Sequence, residues 1–193
     1  MMREMLYGRH AVEECLLAGG RQVFAIFTSE RGGLPVRSAV KQLIERRSIP
    51  VHYVPKERLE QMAGQVNHQG ILAEVSPYPY MSMSAVLRNS AITANPILLL
   101  LDCLQDPQNL GALIRSAEAV GVSGLILPKR RSVGVTPAVV NASAGAVEHI
   151  PVAVVTNLVR AMGELKRAGF WLVGLEAEQS AQRYDQADLN RPI

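Results

Sequence analysis

The residues of this sequence best suited to chemistry lie in the stretch Gln105–Gly121, QDPQNLGALIRSAEAVG. It holds an amide, Asn109, and a guanidinium, Arg115, just under two turns apart on a predicted helix. Asp106-Pro107 is typical of a helix N-cap followed by proline in the first turn. A helix N-terminus favours anions, and an arginine fork suits phosphate oxygens. The stretch therefore indicates a site for a ribose-phosphate group.

An ordinary amphipathic helix explains the same stretch. A stripe of apolar residues at helical spacing is predicted to pack on a sheet: Leu110, Leu113, Ile114, Ala117 and Val120. Asn109 and Arg115 point away from this stripe, so on this interpretation they are surface residues. Gly111 and Ala112 keep the first turn slim, which would let a partner approach the backbone.

Helices and strands alternate along the chain, and a Pro-, Ser- and Tyr-containing segment separates two such series. Before it we predict helices at His10–Ala18, Val36–Arg47 and Lys56–Ala63, and strands at Gln22–Thr28, Val51–Val54 and Ile71–Val75. After it we predict strands at Ile97–Leu101, Leu125–Leu127, Ile150–Val155 and Phe170–Leu175, and helices at Asn109–Val120, Pro137–Ala144 and Asn157–Ala168. The second series predicts a parallel sheet with helices on both faces, which binds ligands beyond the carboxyl ends of its strands.

Composition excludes several classes of protein. Hydrophobic residues make up 48% and charged residues 19% of the 193 residues, which is typical of a globular chain. No apolar run approaches the ~20 residues of a membrane span, and the N-terminus lacks a signal-peptide core, so we expect a cytoplasmic protein. Two distant cysteines and scattered histidines predict neither a disulfide nor a metal site.

The charge balance gives weak support to a nucleic-acid partner. The formal net charge is +3, and most of the 20 basic residues are arginine, whose planar fork suits phosphates. A GC-rich genome would produce the same bias. The basic residues are spread along the chain, and clusters such as Lys129–Arg131 are usually solvated loops.

Segments from nearly the whole chain resemble one family. Asn109–Gly121, NLGALIRSAEAVG, resembles the first signature motif of SpoU-type RNA 2′-O-ribose methyltransferases of the knotted SPOUT superfamily. The resemblance continues through Asn141–Pro151, NASAGAVEHIP, and Thr156–Leu158. Upstream, Leu6–Val12, LYGRHAV, and His68–Ala73, HQGILA, resemble the family's N-terminal substrate-binding domain, which is similar to ribosomal protein L30e. Within the family, the resemblance points to enzymes that methylate a guanosine ribose in 23S rRNA.

The resemblance implies an α/β fold of two domains. Residues 1–76 would form a small L30e-like α/β domain that binds RNA, residues 77–95 a linker, and residues 96–193 a parallel-sheet α/β SPOUT methyltransferase domain. It also implies S-adenosylmethionine as methyl donor, 23S rRNA as partner and a homodimer for a complete family member, with no metal and no membrane.

The resemblance also implies roles for individual residues. Arg115 would be catalytic, and Asn109 would hold it or the ribose in place. The family's cofactor loop would lie at Leu175, Glu176 and Ala177. Candidate RNA contacts are Gly111, Ser143, Gly145, Arg9, His10 and Arg130. A tight turn explains Gly145 equally well, and solvated surface explains the three basic residues. Glu148 matches a family position, but a salt bridge would explain it as well, so it is not a candidate site residue.

Methyl transfer from a sulfonium to a ribose hydroxyl is an in-line displacement. Alignment of donor and acceptor can lower the barrier by about 7–11 kcal/mol in favourable cases. An arginine side chain keeps its proton and is a poor general base. The expected role of Arg115 is therefore to orient a phosphate and stabilise developing alkoxide charge, while an RNA phosphate assists proton removal.

The sequence departs from the family at its C-terminal end. The family builds its cofactor pocket largely from a Gly-(Ser)-Glu-Gly loop and a Ser-Leu-Asn segment, and neither is present. The sequence ends at Asn190–Ile193, where the next buried strand is expected. We therefore expect a C-terminally truncated family member that lacks the segment forming the trefoil knot and much of the dimer interface.

Three other functions compete with this interpretation. The chain would be a non-catalytic RNA-binding module if it binds the methyl donor weakly or not at all. It would be a methyltransferase of the same family if its RNA is tRNA or another rRNA site. A nucleotide-dependent oxidoreductase requires a G-x-G-x-x-G motif after a strand, which the sequence lacks.

Overall fold

The computed structural model describes residues 2–29, 33–175 and 181–193. The chain divides into two compact units, and neither is continuous in sequence. The first comprises the described residues of Met1–Pro79 with Leu104–Glu118 and Val133–His149, and the second comprises those of Tyr80–Cys103, Ala119–Ser132 and Ile150–Ile193. This division by contacts differs from the domain boundaries at residues 76 and 95, which stay a prediction.

The described residues form short helices and strands throughout. The strands are β1 (Glu4–Tyr7), β2 (Val23–Thr28), β3 (Val51–Tyr53), β4 (Ile71–Val75), β5 (Leu98–Leu100), β6 (Gly124–Pro128) and β7 (Val152–Val155). The helices are α1 (Arg9–Ala18), α2 (Ser38–Arg46), α3 (Lys56–Ala63), α4 (Met83–Ser90), α5 (Pro107–Ala119), α6 (Pro137–Ala142) and α7 (Leu158–Arg167). None of the helices in this described part has the length and apolar composition needed to cross a bilayer.

A four-stranded mixed sheet organises the first unit, in the order β1-β4-β2-β3. Strand β4 is antiparallel to both of its neighbours, and β2 and β3 are parallel. Leu6, Ala73 and Ile26 lie in one row across three strands and are all buried. The sequence did not predict β1, because its four residues, EMLY, show no clear alternation, and pairing with β4 makes it a strand.

Close packing attaches residues 137–149 to the start of the chain. The Asn141 side-chain amide donates a hydrogen bond to the Tyr7 carbonyl at 3.1 Å. Gly145 has a φ of +85°, and a Cβ there would lie 3.0 Å from the His10 carbonyl oxygen. Because a larger residue would collide with α1, glycine at 145 allows this segment to join the first unit.

A buried ion pair also holds this segment. Arg21 Nε lies 3.1 Å from Glu148 Oε1, and both side chains are almost fully buried, at 0% and 1% exposure. Arg21 Nη1 donates to Glu4 at 2.8 Å, and the guanidinium lies over the Tyr78 ring. Arg21 and Glu148 are within ion-pair distance, although their geometry is not that of a hydrogen bond. Burial raises the pKa of the Glu148 carboxyl, and the neighbouring Arg21 guanidinium only partly offsets this rise.

The second unit contains the predicted parallel sheet, in the order β5-β6-β7. Side chains from the sheet, α4 and α7 pack together in its core, which includes Val86, Leu98, Ile126, Ala153, Leu165 and Phe170. Helix α7 begins with Asn157, whose side chain accepts a hydrogen bond from the Arg160 amide at 2.9 Å. This cap gives Asn157 of the Thr156–Leu158 motif a structural role.

The predicted strand Phe170–Leu175 is not present, because residues 171–175 have no regular structure. A strand requires a ladder of backbone hydrogen bonds to a neighbouring strand. Trp171 donates a single hydrogen bond of this kind, from its amide to the Pro192 carbonyl at 2.9 Å. Ile193 bonds to the start of β5, accepting from the Leu98 amide at 2.8 Å and donating to the Pro96 carbonyl at 3.0 Å. These contacts place Pro192 and Ile193 beside both segments.

Gly111→Ala is expected to destabilise the protein by about 1–3 kcal/mol. A Cβ at Gly111 would overlap the Ala142 side chain and lie 2.8 Å from backbone atoms of α6. Gly163 in α7 is a matched control, because a Cβ there would meet its nearest atom at 3.7 Å. Gly163→Ala should stabilise by about 0.5–1 kcal/mol through helix propensity. Urea denaturation followed by circular dichroism measures both, and equal effects would contradict the close approach.

Arg21→Met is expected to cost about 3–5 kcal/mol of unfolding free energy, because Glu148 would remain buried without its cation. Arg3 is the control, since it also pairs with a glutamate, Glu74, and lies over a phenylalanine ring, but its side chain is 50% exposed. Arg3→Met should cost about 0–1 kcal/mol. A similar loss for both variants in thermal and urea denaturation would refute the importance of the buried pair.

Candidate functional site

Helix α5 carries the two residues proposed for chemistry, and its first turn is well defined. Asp106 Oδ1 accepts a hydrogen bond from the Gln108 amide at 2.9 Å, and Pro107 is the first helical residue. The Asp106 carbonyl accepts from the Leu110 amide at 3.1 Å. The N-cap predicted from Asp106-Pro107 is therefore present, and the helix begins two residues earlier than predicted.

The buried stripe of α5 is narrower than predicted. Leu110, Ile114 and Ala117 are buried, whereas Leu113 is 40% and Val120 71% exposed. The predicted five-residue stripe was wrong at these two positions. Leu113 lies at the flank of the buried row, and Val120 follows the last helical residue, so neither reaches the interior.

Asn109 and Arg115 are both exposed on α5. Within residues 2–29, 33–175 and 181–193, neither side chain has a hydrogen bond or an ion pair. On a regular helix, residues six positions apart are displaced by about 9 Å along the axis and about 120° around it. The structure therefore leaves both groups free for a ligand but does not bring them into contact with each other.

Three residues expected to contact RNA lie in the interior instead. Gly111, Ser143 and Gly145 are buried. Gly111 packs against Ala142 and the Ser143 backbone, and the Ser143 hydroxyl donates to the Val140 carbonyl at 3.0 Å. Packing within the first unit accounts for the burial of these three residues, and the RNA contacts expected of them stay a prediction.

Arg9 and His10 are exposed at the start of α1. They line a cavity of about 520 Å³, together with residues that sequence reasoning missed: Glu13, Glu14, Pro35, Arg37 and Gln69. The missed residues come from distant parts of the sequence, and only Gln69 lies in a segment that carries the family resemblance. Their grouping depends on the tertiary fold, so no local motif indicated it.

Arg130 is exposed at the carboxyl end of β6, between Lys129 and Arg131. Arg131 has a φ of +59°, in the left-handed region that residues other than glycine rarely adopt. No ion pair involves these three cations within the described residues. The loop therefore presents three uncompensated positive charges at the edge of the parallel sheet where ligands of such sheets bind.

Leu175 is 89% exposed and lines a cavity of about 900 Å³ in the second unit. Other walls of this cavity are Trp171, Leu172, Tyr184, Leu189 and Arg191. Glu176 and Ala177, the other two residues expected at the cofactor loop, lie outside the described residues. The cavity is lined by apolar and aromatic side chains with a few polar groups, as small-molecule sites commonly are.

Neither cysteine is an activated nucleophile. Burial raises the pKa of the Cys15 thiol to about 12. A hydrogen bond from the Cys103 thiol to the Asp102 carboxylate raises the pKa of that thiol as well. Reactive thiols have lowered pKa values. In the described part of the chain, no three His, Cys, Asp or Glu side chains group as metal ligands would.

Two known families match this chain, one in each of the two series of helices and strands. A family described as SpoU rRNA methylase matches residues 96–193. A family described as RNA 2′-O ribose methyltransferase substrate binding matches residues 5–81. The two matches occupy the parts of the chain in which the sequence segments resemble that family.

Solved structures share the fold at low sequence identity. The SpoU methyltransferase AviRb from Streptomyces viridochromogenes matches with a TM-score of 0.65 at 18% identity, covering 86% of this chain and 59% of its own. An AdoMet-bound rRNA methyltransferase from Sinorhizobium meliloti matches with a TM-score of 0.64 at 22% identity, covering 83% and 58%. The chain thus spans about three-fifths of the length of these proteins.

Relatives by sequence cover the chain almost completely. A Bacillus subtilis protein named as a TrmH family tRNA/rRNA methyltransferase, YacO, is 38% identical over 98% of this chain and 76% of its own length. An uncharacterized tRNA/rRNA methyltransferase of Synechocystis is 40% identical over 98% of this chain and 50% of its own length. With these relatives and the two family matches, the chain belongs to the SpoU rRNA methylase family.

Proposed function

We propose that this chain methylates the 2′-hydroxyl of an RNA ribose with S-adenosylmethionine as donor, and that its substrate is a guanosine of 23S rRNA. The observation that carries this proposal is the presence of a SpoU methylase match and a ribose-methyltransferase substrate-binding match in order on one chain. The names of the Bacillus and Synechocystis relatives include both tRNA and rRNA, so tRNA is the second candidate substrate. The proposed location of this activity is the cytoplasm.

The proposed catalytic group is the Arg115 guanidinium. It is exposed and uncommitted within the described part of the chain, so its five N–H donors remain available. An arginine fork binds two phosphate oxygens at once, which would fix the RNA backbone beside the reacting ribose. The guanidinium also stabilises negative charge that develops on the 2′-oxygen as it loses its proton.

Of its two expected roles, Asn109 is proposed to bind the ribose and not to hold the Arg115 side chain. The separation of the two side chains on α5 and the absence of a hydrogen bond between them among the described residues favour this alternative. An amide offers both a donor and an acceptor, and a ribose hydroxyl can use either. The proton of the 2′-hydroxyl would then pass to an RNA phosphate oxygen held by Arg115, because an arginine does not serve as a base.

The cavity beside Leu175 is the proposed place for the methyl donor. Its volume of about 900 Å³ lies within the range of small-molecule sites, roughly 300–1,000 Å³. Tyr184 offers a ring face for an adenine or for a positively charged centre, whereas Arg191 covers one face of the Trp171 ring and leaves the other for stacking. When bound, S-adenosylmethionine supplies an electrophilic methyl group on a sulfonium. Leu175 and these two aromatic residues would orient the donor and exclude water from it.

The remaining contacts in the proposal involve RNA and a second copy of the chain. Arg9 on α1 and Arg130 after β6 present exposed guanidinium groups for RNA phosphates, and the exposed His10 on α1 is a further proposed RNA contact. Phosphate contacts position an RNA without reading its sequence, so the two arginines would set affinity rather than the choice of nucleotide. The homodimer that the family resemblance implies is part of this proposal.

Arg115→Lys is expected to lower the rate of methyl transfer about 10²–10³-fold, because a lysine keeps the charge but loses the planar fork. Affinity for RNA and for S-adenosylmethionine should change by less than about twofold. Transfer of a tritiated methyl group to 23S rRNA fragments and to tRNA measures the rate. Arg88→Lys is the control, since Arg88 is an exposed arginine in the last turn of α4. Full activity of Arg115→Lys would disprove a bidentate role for Arg115. Preferential labelling of tRNA would show that tRNA, and not rRNA, is the substrate.

Leu175→Arg is expected to weaken S-adenosylmethionine binding about tenfold or more, because the new cation would repel the sulfonium and obstruct the cavity. Val159 on α7 is the control, since it is an exposed apolar residue, at 76% exposure, that does not line this cavity. Val159→Arg should leave the affinity unchanged. Isothermal titration calorimetry measures the dissociation constants without depending on catalysis. If both variants bind S-adenosylmethionine as tightly as the wild type, the proposal that the donor binds in this cavity is wrong.

A further inference from the structure

The first unit contains a polar cavity that the proposed chemistry does not use. Its volume is about 520 Å³, within the range of roughly 300–1,000 Å³ that small-molecule sites occupy. Arg9, His10 and Glu13 of α1 line it together with Arg37 and Gln69. Helix α5 contributes nothing to its lining, so the cavity is distinct from Asn109 and Arg115.

The two sequence segments that resemble the family's substrate-binding domain, Leu6–Val12 and His68–Ala73, meet at this cavity. The Arg9 amide donates a hydrogen bond to Gln69 Oε1 at 3.0 Å, which links the start of α1 to the turn before β4. Gln69 has a φ of +52°, a conformation that residues other than glycine rarely adopt. Strained backbone of this kind recurs at binding and catalytic sites, where the surrounding structure holds it.

The walls of the cavity are fixed by a network of ion pairs. The carboxylate of Glu13, which is 4% exposed, accepts hydrogen bonds from the Arg37 amide at 2.6 Å and from Arg37 Nε at 2.9 Å. Glu14 accepts from Arg37 Nη2 at 2.6 Å and contacts His149 Nε2 at 2.8 Å. Both carboxylates bind Arg37 and neither hydrogen-bonds to Arg9 among the described residues, so the Arg9 guanidinium stays accessible. Two carboxylates and two guanidinium groups give the lining no formal net charge.

The free groups of the cavity suit a nucleotide. Arg9 donates from Nε to the Pro35 carbonyl at 2.6 Å, and its terminal nitrogens have no partner among the described residues. The Gln69 amide nitrogen and the His10 ring are likewise uncommitted within the described chain. Guanidinium groups bind phosphate, side-chain amides bind base edges, and histidine rings stack on unpaired bases.

We propose that this cavity holds one unpaired nucleotide of the RNA substrate. Arg9 binds its phosphate, and His10 and Gln69 contact its base. The proposal takes RNA as the source of the nucleotide from the proposed function, but it concerns binding alone. The site would distinguish a single-stranded loop from a duplex, because a base paired within a helix cannot enter a cavity of this size.

Arg9→Met and Gln69→Gly test the site with little risk to folding. Methionine keeps an apolar stem in place of the arginine, and glycine accepts the positive φ at residue 69. Arg46→Met is the matched control, since Arg46 is an exposed arginine in the last turn of α2 that does not line the cavity. Thermal denaturation verifies that all three variants fold.

Fluorescence anisotropy measures binding to a labelled hairpin with a single-stranded loop and to a blunt duplex of the same length, at one salt concentration. Arg9→Met and Gln69→Gly are each expected to weaken hairpin binding about tenfold, and duplex binding by less than about threefold. Arg46→Met should weaken both by the same small factor, because it removes a non-specific charge. Equal behaviour of Arg9→Met and Arg46→Met would overturn the proposal.

Guanosine 5′-monophosphate competition separates a nucleotide within RNA from a free one. If the mononucleotide binds in an Arg9-dependent way while hairpin affinity is the same in all variants, the cavity takes free nucleotides and the proposal is wrong. The Arg115→Lys variant separates this inference from the proposed function, since it should lose most of its methyl transfer while its hairpin binding keeps the same dependence on Arg9 and Gln69. Arg9- and Gln69-dependent hairpin binding without any methyl transfer would sink the proposed function and leave this inference intact.

Discussion

Helix α5 holds its position because residue 111 has no side chain. Gly111 packs directly against α6, where a Cβ would lie 2.8 Å from backbone atoms. Helix α6 is tied in turn to the first strand by the Asn141–Tyr7 hydrogen bond. Leu110, Ile114 and Ala117 of α5 are buried, whereas Asn109 and Arg115 are exposed. Asn109 lies on the far side of the helix from Gly111, whereas Arg115 follows Gly111 one turn later on the same side. The close packing at Gly111 therefore does not extend to Arg115.

Ion pairs stabilise the packing of the first unit both in its interior and near its surface. The buried Arg21–Glu148 pair holds the segment after α6, while the more accessible Arg37 joins Glu13 and Glu14 at the cavity wall. Buried ion pairs contribute little net stability because desolvation opposes the Coulomb attraction, but they strongly disfavour alternatives that leave one charge alone. Their main effect here is to specify which segments pack together, and the more exposed pairs hold side chains at the surface.

Local sequence patterns predicted most of the elements and few of the contacts between them. Lys56–Ala63 and Ile71–Val75 form at the predicted residues, and the parallel sheet of the second unit follows from apolar strands alternating with helices. The strand predicted at residues 170–175 is absent. The prediction failed because hydrophobic periodicity does not reveal whether a segment has a neighbouring strand to bond to.

The site was predictable only in part. The N-cap and the exposure of Asn109 and Arg115 follow from residue types and spacing, whereas their roles came from the family resemblance. The positions of Gly111 and Gly145 depended on contacts between residues far apart in sequence, so their burial was not foreseen. The same reason hid the grouping of Gln69 with Arg37, which no spacing rule connects.

The single tryptophan of the sequence, Trp171, lies in the second unit, 61% exposed and with Arg191 stacked over its ring at 4.2 Å. Intrinsic emission excited at long ultraviolet wavelengths therefore originates from one unit alone, whereas far-ultraviolet ellipticity sums over both. Trp171 fluorescence therefore reports on the unfolding of the second unit. Coincident fluorescence and ellipticity transitions would indicate that the two units unfold together, and separate transitions that they unfold one after the other.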